Sequence, residues 1–164
     1  MADKVKPIPE GSQSVTPYLS IRGAVEAVEF YKKAFGAVEQ MRMPSPDGKT
    51  LMHAELKIGD SQLYLADEFP GMEVSSPAGL KGTTVSIHLY VDEVDAVFAK
   101  AVAAGATVKM PLMNMFWGDR FGKLLDPFGH SWALAQHIED VPPEEMDRRA
   151  EEFRKQWAEG KGHA

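Results

Sequence analysis

The side chains able to carry out chemistry in this chain are few, and most sit in strand-like stretches. His53 opens "HAELK" with Glu55 two residues on and Lys57 two further. His88 lies in "SIHLYV" between Ser86 and Tyr90, Asp119 in "FWGDRFGK", and His137 follows "SWALAQ". Imidazole with carboxylate suits general acid–base catalysis or a divalent metal such as zinc, iron or manganese. A set of His53, His88 and Asp119, with Glu55 as the other carboxylate, is the low-ranked candidate for metal. A divalent metal is possible on that set, but no cofactor is predicted, because no ligand-spacing motif such as HxxxH occurs. For catalysis the candidates are His88, Asp119 and Tyr18. No nucleophile–base pair is identifiable from spacing.

A second stretch raises a different chemistry. "PLMNMFWGDRFGK" (111–123) gathers Met113, Met115, Phe116, Trp117 and Phe121, too many large apolar groups for a solvated loop. One reading is a cavity rim, with Met115 and Trp117 over a ligand and Asp119 or Arg120 fixing its polar end. The other is a hairpin with core anchors and a surface ion pair. Gly118 and Gly122 mark a bend or bulge.

The elements that would position these groups come in two copies. "TPYLSI" (16–21) precedes a helical pattern, and "SIHLYV" (86–91) precedes another. Val25, Val28 and Phe35, with Tyr31 close by, and Val94, Val97, Phe98 and Val102 supply apolar stripes, and Gly36 and Gly105 supply the stops. A short strand and a hairpin-like pair follow in each copy, turning at Gly59-Asp60 and at Asp126-Pro127-Phe128-Gly129. The fold class is therefore α+β. Two βαβββ modules form a curved mixed sheet around a cavity, and a C-terminal helix follows.

Alternation divides each strand into two faces. Val15, Leu19 and Ile21, then Val85, Ile87, Leu89 and Val91, then Trp132 and Leu134 share an apolar face that should meet the helices. The opposite face carries Thr16, Tyr18 and Ser20, then Thr84, Ser86, His88 and Tyr90, then Ser131, Ala133 and Ala135. A solvated face would carry Lys, Glu and Arg. This one suits the wall of a small-molecule cavity.

Residues 1–13 read as a disordered lead-in, 14–138 as one domain (modules 14–67 and 83–138), and 139–164 as a helical tail. The linker of 67–83 is either flexible or folds over the cavity mouth through Phe69 and Met72. Met146, Ala150, Phe153 and Trp157 stripe the tail and must bury on the domain or on a second copy. A net charge of -6 leaves no basic footprint for nucleic acid. No apolar run reaches the roughly 18 residues of a membrane span. The absence of cysteine removes disulfides and thiolate metal sites and suits the cytoplasm.

The paired modules, with "PYLS", "MHAELKIGD" and "FWGDRFGKLLDPFGHSW", resemble the vicinal oxygen chelate superfamily and, within it, the PhnB-like branch. That superfamily includes glyoxalase I, fosfomycin- and bleomycin-resistance proteins and extradiol dioxygenases. The resemblance implies a site built from two strand positions per module, which hold His, Gln or Glu on a divalent metal in the metal-dependent members. Those positions fall here on Thr16, Tyr64, Ser86 and Ala133, none an ordinary ligand. The expectation is therefore a small-molecule binding or sequestering protein without metal. Members of that superfamily commonly assemble their cavities between modules, within a chain or across a dimer, so the resemblance also implies a homodimer. The ligand-binding residues would be Thr16, Tyr18, His53, Tyr64, Ser86, His88, Tyr90, Met115, Trp117, Asp119, Arg120 and Ala133. The alternative is a lyase, isomerase or dioxygenase-type enzyme with a relocated metal or with acid–base catalysis by His88.

Overall fold

Alternating apolar residues make the strands, and each module arranges them the same way. In the computed structural model, which describes residues 5–71 and 74–159, the first module runs β1 (Tyr18–Ile21), α1 (Ala24–Phe35), β2 (Val38–Pro44), β3 (Leu51–Ile58) and β4 (Ser61–Asp67). A short helix α2 (Pro77–Leu80) leads to β5 (Ser86–Tyr90), α3 (Val94–Ala103), β6 (Thr107–Asn114), β7 (Asp119–Leu125) and β8 (Ser131–His137). Helix α4 (Pro143–Ala158) follows. The sheets have the orders β1-β4-β3-β2 and β5-β8-β7-β6, with β1 parallel to β4 and β5 parallel to β8. This is the α+β pair of βαβββ modules read from the repeat.

Each helix starts where a side chain from the end of its module's last strand meets it. The Asp67 Oδ1 accepts from the backbone N–H of Gly23 and Ala24 (2.9 and 3.1 Å). One repeat later, Gln136 Oε1 accepts from the Val94 N–H (3.2 Å). Such bonds satisfy donors that an α-helix cannot pair internally. Gly36 ends α1 in the left-handed region (φ 67°), where a side chain would be strained.

α1 and α3 pack on each other, and one apolar core joins both to the inner faces of both sheets. Val28, Tyr31 and Phe35 are buried on α1 as their spacing predicts, and Phe30 joins them. On α3 the stripe is Val94, Phe98 and Ala101, while Val102 is exposed. Gly122 lets α3 come close: a Cβ there would lie 2.8 Å from the Phe98 ring.

The joint between modules is a carboxylate. Asp126 is 4% exposed. Its Oδ2 accepts the Tyr31 O–H (2.7 Å) from the other module and the Trp132 indole N–H (3.0 Å). Its Oδ1 accepts the backbone N–H of Phe128 and His130, both at 2.9 Å. Burial, then the Asp126 charge, push the Tyr31 phenol well up. Tyr31 and Phe35 also lie against the Trp132 ring, at 5.3 and 4.4 Å between centroids.

The linker is docked at Ser76 and Pro77. Ser76 is fully buried, donates its N–H to Glu68 Oε2 (2.7 Å) and caps α2 by accepting from the Gly79 N–H (3.2 Å). Hydrogen bonding from the Ser76 side chain, then from its backbone N–H, and then from Arg22 brings the Glu68 carboxyl down to about 2. Pro77 sits against Gly129, where an added Cβ would come within 2.8 Å of it. Met72 lies outside the described residues. On α4, Phe153 meets the Phe116 ring (5.1 Å), and Trp157 stays 53% exposed.

Replacing Asp126 by Ala strands two buried donors, each worth about 1–3 kcal/mol. The expected loss is about 2–5 kcal/mol in urea unfolding, with Tyr31→Phe smaller, at about 1–2 kcal/mol. An Asp126→Ala midpoint equal to wild type would show that the joint is not where stability lies.

Candidate functional site

Both sheets turn their apolar face to the helices; the other face carries the polar side chains, and on the second sheet Met115, Trp117 and Phe153 cover part of it. On the first sheet, cross-strand register sets Tyr18 (β1), Tyr64 (β4) and Glu55 (β3) in one row. His53, two residues before Glu55, spans back over that row. The Tyr18 O–H meets His53 Nδ1 at 2.7 Å, and His53 Nε2 meets Glu55 Oε1 at 3.2 Å. The Tyr64 ring stands edge-on to both, 5.9 Å from Tyr18 and 5.2 Å from His53. Burial pushes the Tyr18 phenol up.

The second sheet gathers a different set. Asp119 is 3% exposed. Its Oδ2 accepts from the Tyr90 O–H (2.8 Å) and the Trp117 indole N–H (2.9 Å), and its Oδ1 meets His137 Nδ1 (2.9 Å). His137 Nε2 meets Asp140 at 3.0 Å. Burial pushes the Asp119 carboxyl up, but the bonds from His137, Tyr90 and Trp117 outweigh it and hold it below the usual value. The bond to Asp119, then burial, push the Tyr90 phenol up. Asp140 and then Asp119 push the His137 imidazole up. His88 lies against Tyr90 and Phe121 (4.8 and 5.8 Å between rings), exposed on β5.

Between the two modules runs a groove of about 940 Å³, lined by Tyr18 and Ser20 of β1, Ser86 and His88 of β5, and His130. Burial holds the His130 imidazole below its usual value. An apolar pocket of about 610 Å³ adjoins it, sharing Tyr18 and Ser20 and walled by Met52, Ala66, Phe69 and Val74. Ser20 Oγ is buried and has no hydrogen-bond partner among the described residues.

The predicted residues therefore divide. Tyr18, Ser86 and His88 reach the groove, and His53 and Tyr64 back Tyr18. Thr16 lies ahead of β1; the register puts Tyr18 opposite Tyr64, and His88, rather than Ser86, opposite Ala133. Met115 and Ala133 belong to a small buried cluster with Phe121 and Ala135, with Trp117 and Phe153 packed on it. Residues 115–118 thus close a hairpin anchored in the core, the Met115 N–H donating to the Asp119 carbonyl (2.7 Å). Arg120 points to the helix side, where it pairs with Asp95 (2.7 and 2.6 Å) and with Asn114 (3.2 Å). Alternation along β7 sends Asp119 and Arg120 to opposite faces, so neither the expected pairing of the two nor an Arg120 clamp forms. His53, His88 and Asp119 do not converge, and no group of three His, Asp or Glu among the described residues could hold a metal ion.

Two features escape the sequence reading. His137 stands directly opposite Asp119 across β7 and β8, a pairing that counting outward from the Asp126–Gly129 turn would find. The approach of Met52 and Val74 to the Tyr18 face has no signal in the chain.

A family profile, the Glyoxalase/Bleomycin resistance protein/Dioxygenase superfamily, matches residues 19–134. An uncharacterized protein of Mycobacterium bovis is 46% identical over 136 residues, covering 81% of this chain and 89% of that protein. A Pseudomonas aeruginosa crystal structure, protein PA1353, superposes with a TM-score of 0.65 at 29% identity, covering 78% of this chain and 100% of the other. The PhnB protein of Bacillus cereus shares the fold at a TM-score of 0.61 and 23% identity, over 76% of this chain and 99% of its own.

The Asp119 cluster makes stability depend on pH from both sides. Asp119 is held low when folded, so its contribution is present above the unfolded value of about 3.9 and is lost as pH falls through the folded one. His137 is held high, so its contribution is complete below about 6.5 and is lost as pH rises through the folded value. Melting temperatures measured across pH should show His137→Gln flattening the alkaline limb and Asp119→Asn the acid limb. An alkaline limb unchanged in His137→Gln would assign it to another group.

Proposed function

Because the chain belongs to the glyoxalase/bleomycin resistance protein/dioxygenase superfamily, we propose that it binds and sequesters a small aromatic molecule in the groove beside β1 and β5, without the superfamily's metal. The observation behind this is the register. Tyr18 opposite Tyr64 and His88 opposite Ala133 are the facing pairs, and only His88 among them is an ordinary metal ligand. A catalytic divalent site usually takes about three protein ligands.

The groove supports the same reading. Its volume of about 940 Å³ lies within the usual range for small-molecule sites. Aromatic rings with a few fixed polar groups suit a flat ligand, and a net charge of -6 tolerates a cationic one. Catalysis by His88 has less behind it: among the described residues no side chain hydrogen-bonds its ring, whereas a general base is usually oriented by a partner. The chain works as a homodimer in this reading, with a second copy covering the open faces where Tyr18 and Tyr90 are 56% and 60% exposed. No helix of the described residues is long and apolar enough to cross a membrane. A reducing cytoplasm suits a chain without cysteine.

The test is elemental analysis with Zn, Ni, Mn and Fe titrations, alongside tryptophan fluorescence with two planar probes, the cation acridine orange and the phenol 4-nitrophenol. The expected result is saturable quenching without stoichiometric metal. One equivalent of tightly held metal, lost in His88→Ala, overturns the proposal.

A further inference from the structure

The first sheet carries three groups linked in a way that sequestration alone does not require. Glu55, when ionised, can only accept a hydrogen bond, so a neutral His53 carries its proton on Nε2. Nδ1 is then a bare lone pair, and the Tyr18 O–H donates to it. Tyr18 lines the groove and is 56% exposed, and its oxygen keeps lone pairs beyond the one O–H spent on His53. The His53 and Glu55 side chains, at 16% and 28% exposure, are shielded. Tyr64 holds the Tyr18 and His53 rings edge-on.

We propose that Glu55, His53 and Tyr18 form a proton relay that deprotonates a hydroxyl-bearing flat aromatic ligand and holds it as its anion. This rests on the groove being the ligand site. One proton leaves the ligand hydroxyl for the Tyr18 oxygen, and the Tyr18 proton passes to His53 Nδ1. The products are a ligand oxyanion, an intact phenol and an imidazolium facing the Glu55 carboxylate. No bond breaks other than the two O–H bonds, and no electrons leave the site. The oxyanion then accepts from the Tyr18 O–H, Tyr18 accepts from His53 Nδ1–H, and Glu55 accepts from Nε2–H, each bond assisted by charge.

Two further observations fit that ligand. Burial holds the Tyr18 phenol above its usual value, so it gives up one proton only as it gains another. Met52, Phe69 and Val74 wall the adjoining pocket, which suits an apolar ring. On the His53 face the charged groups of β3 are Glu55 and Lys57. β4 and β2 present Gln62, Tyr64, Met41 and Met43 there, so Glu55 is the carboxylate that sets the charge of the relay.

4-Nitrophenol reports the step directly, because its phenolate absorbs where the phenol does not. In the full chain, the phenolate-to-phenol ratio of bound probe should exceed that of free probe at the same pH by about tenfold, one pKa unit. Glu55→Gln, checked for fold by circular dichroism and melting, should still bind the probe but lose that excess. Nitrogen-15 spectra should show His53 as the Nε2–H tautomer in wild type. Binding with no excess phenolate, or an excess that persists in Glu55→Gln and His53→Gln, overturns the relay and leaves the groove standing. Binding of acridine orange without 4-nitrophenol overturns the ligand class. Binding of neither probe overturns the groove and the relay together.

Discussion

The structure depends on one buried carboxylate. Asp126 takes four hydrogen bonds, and the one from Tyr31 crosses between modules. A carboxylate out of water survives only when such donors replace its hydration. Here they do more than replace it. They place the Asp126–Gly129 turn, the Trp132 indole and the face of α1 against one another, and so set how the first sheet lies relative to the second. His130, whose backbone N–H is held by the same Asp126, reaches across to the Ser20 carbonyl at 3.3 Å, at the wall of the groove. The groove is thus a consequence of the joint.

The two modules keep one scaffold and divide its chemistry. Asp67 and Gln136 cap their helices from equivalent strand ends. On the open faces the equivalence stops. Tyr18 and Tyr64 answer to His88 and Ala133 in register, and the side chains around them have diverged. The first module sets an imidazole between a phenol and a carboxylate. The second buries its carboxylate under Tyr90, Trp117 and His137, and the small Ala133 and Ala135 make room for Met115 and Phe121. A carboxylate already holding three side-chain donors is committed to structure. The phenol of Tyr18, with its outer lone pairs uncommitted, is the group with capacity left for a ligand.

Most of the framework was legible in the chain. The repeat, the alternation and the glycine stops specify two βαβββ modules, because each reports a local backbone requirement. The errors came where local rules meet a neighbour. Val102 fits the helical stripe, but Ala101 is what fits under the packed sheet. Thr16 was two residues from the position that register selects, since a parallel pairing between β1 and β4 leaves no trace in either strand alone. Arg120 and Asp119 are adjacent in the chain and therefore on opposite faces, which alternation already states. Their pairing does not form, while the core anchors of the same hairpin reading do.

The residue types of the site and their sorting onto one polar strand face belong to the sequence by itself. They follow from the side-chain inventory and a period of two, which act over a few residues. Only the tertiary structure decided which of those groups meet. Tyr18 and His53 are 35 residues apart, Tyr31 and Asp126 are 95 apart, and both pairs close at 2.7 Å. Contacts of that span come from strand register and from the packing of α1 on α3. Both minimise the free energy of the whole core, and no short stretch of chain encodes them.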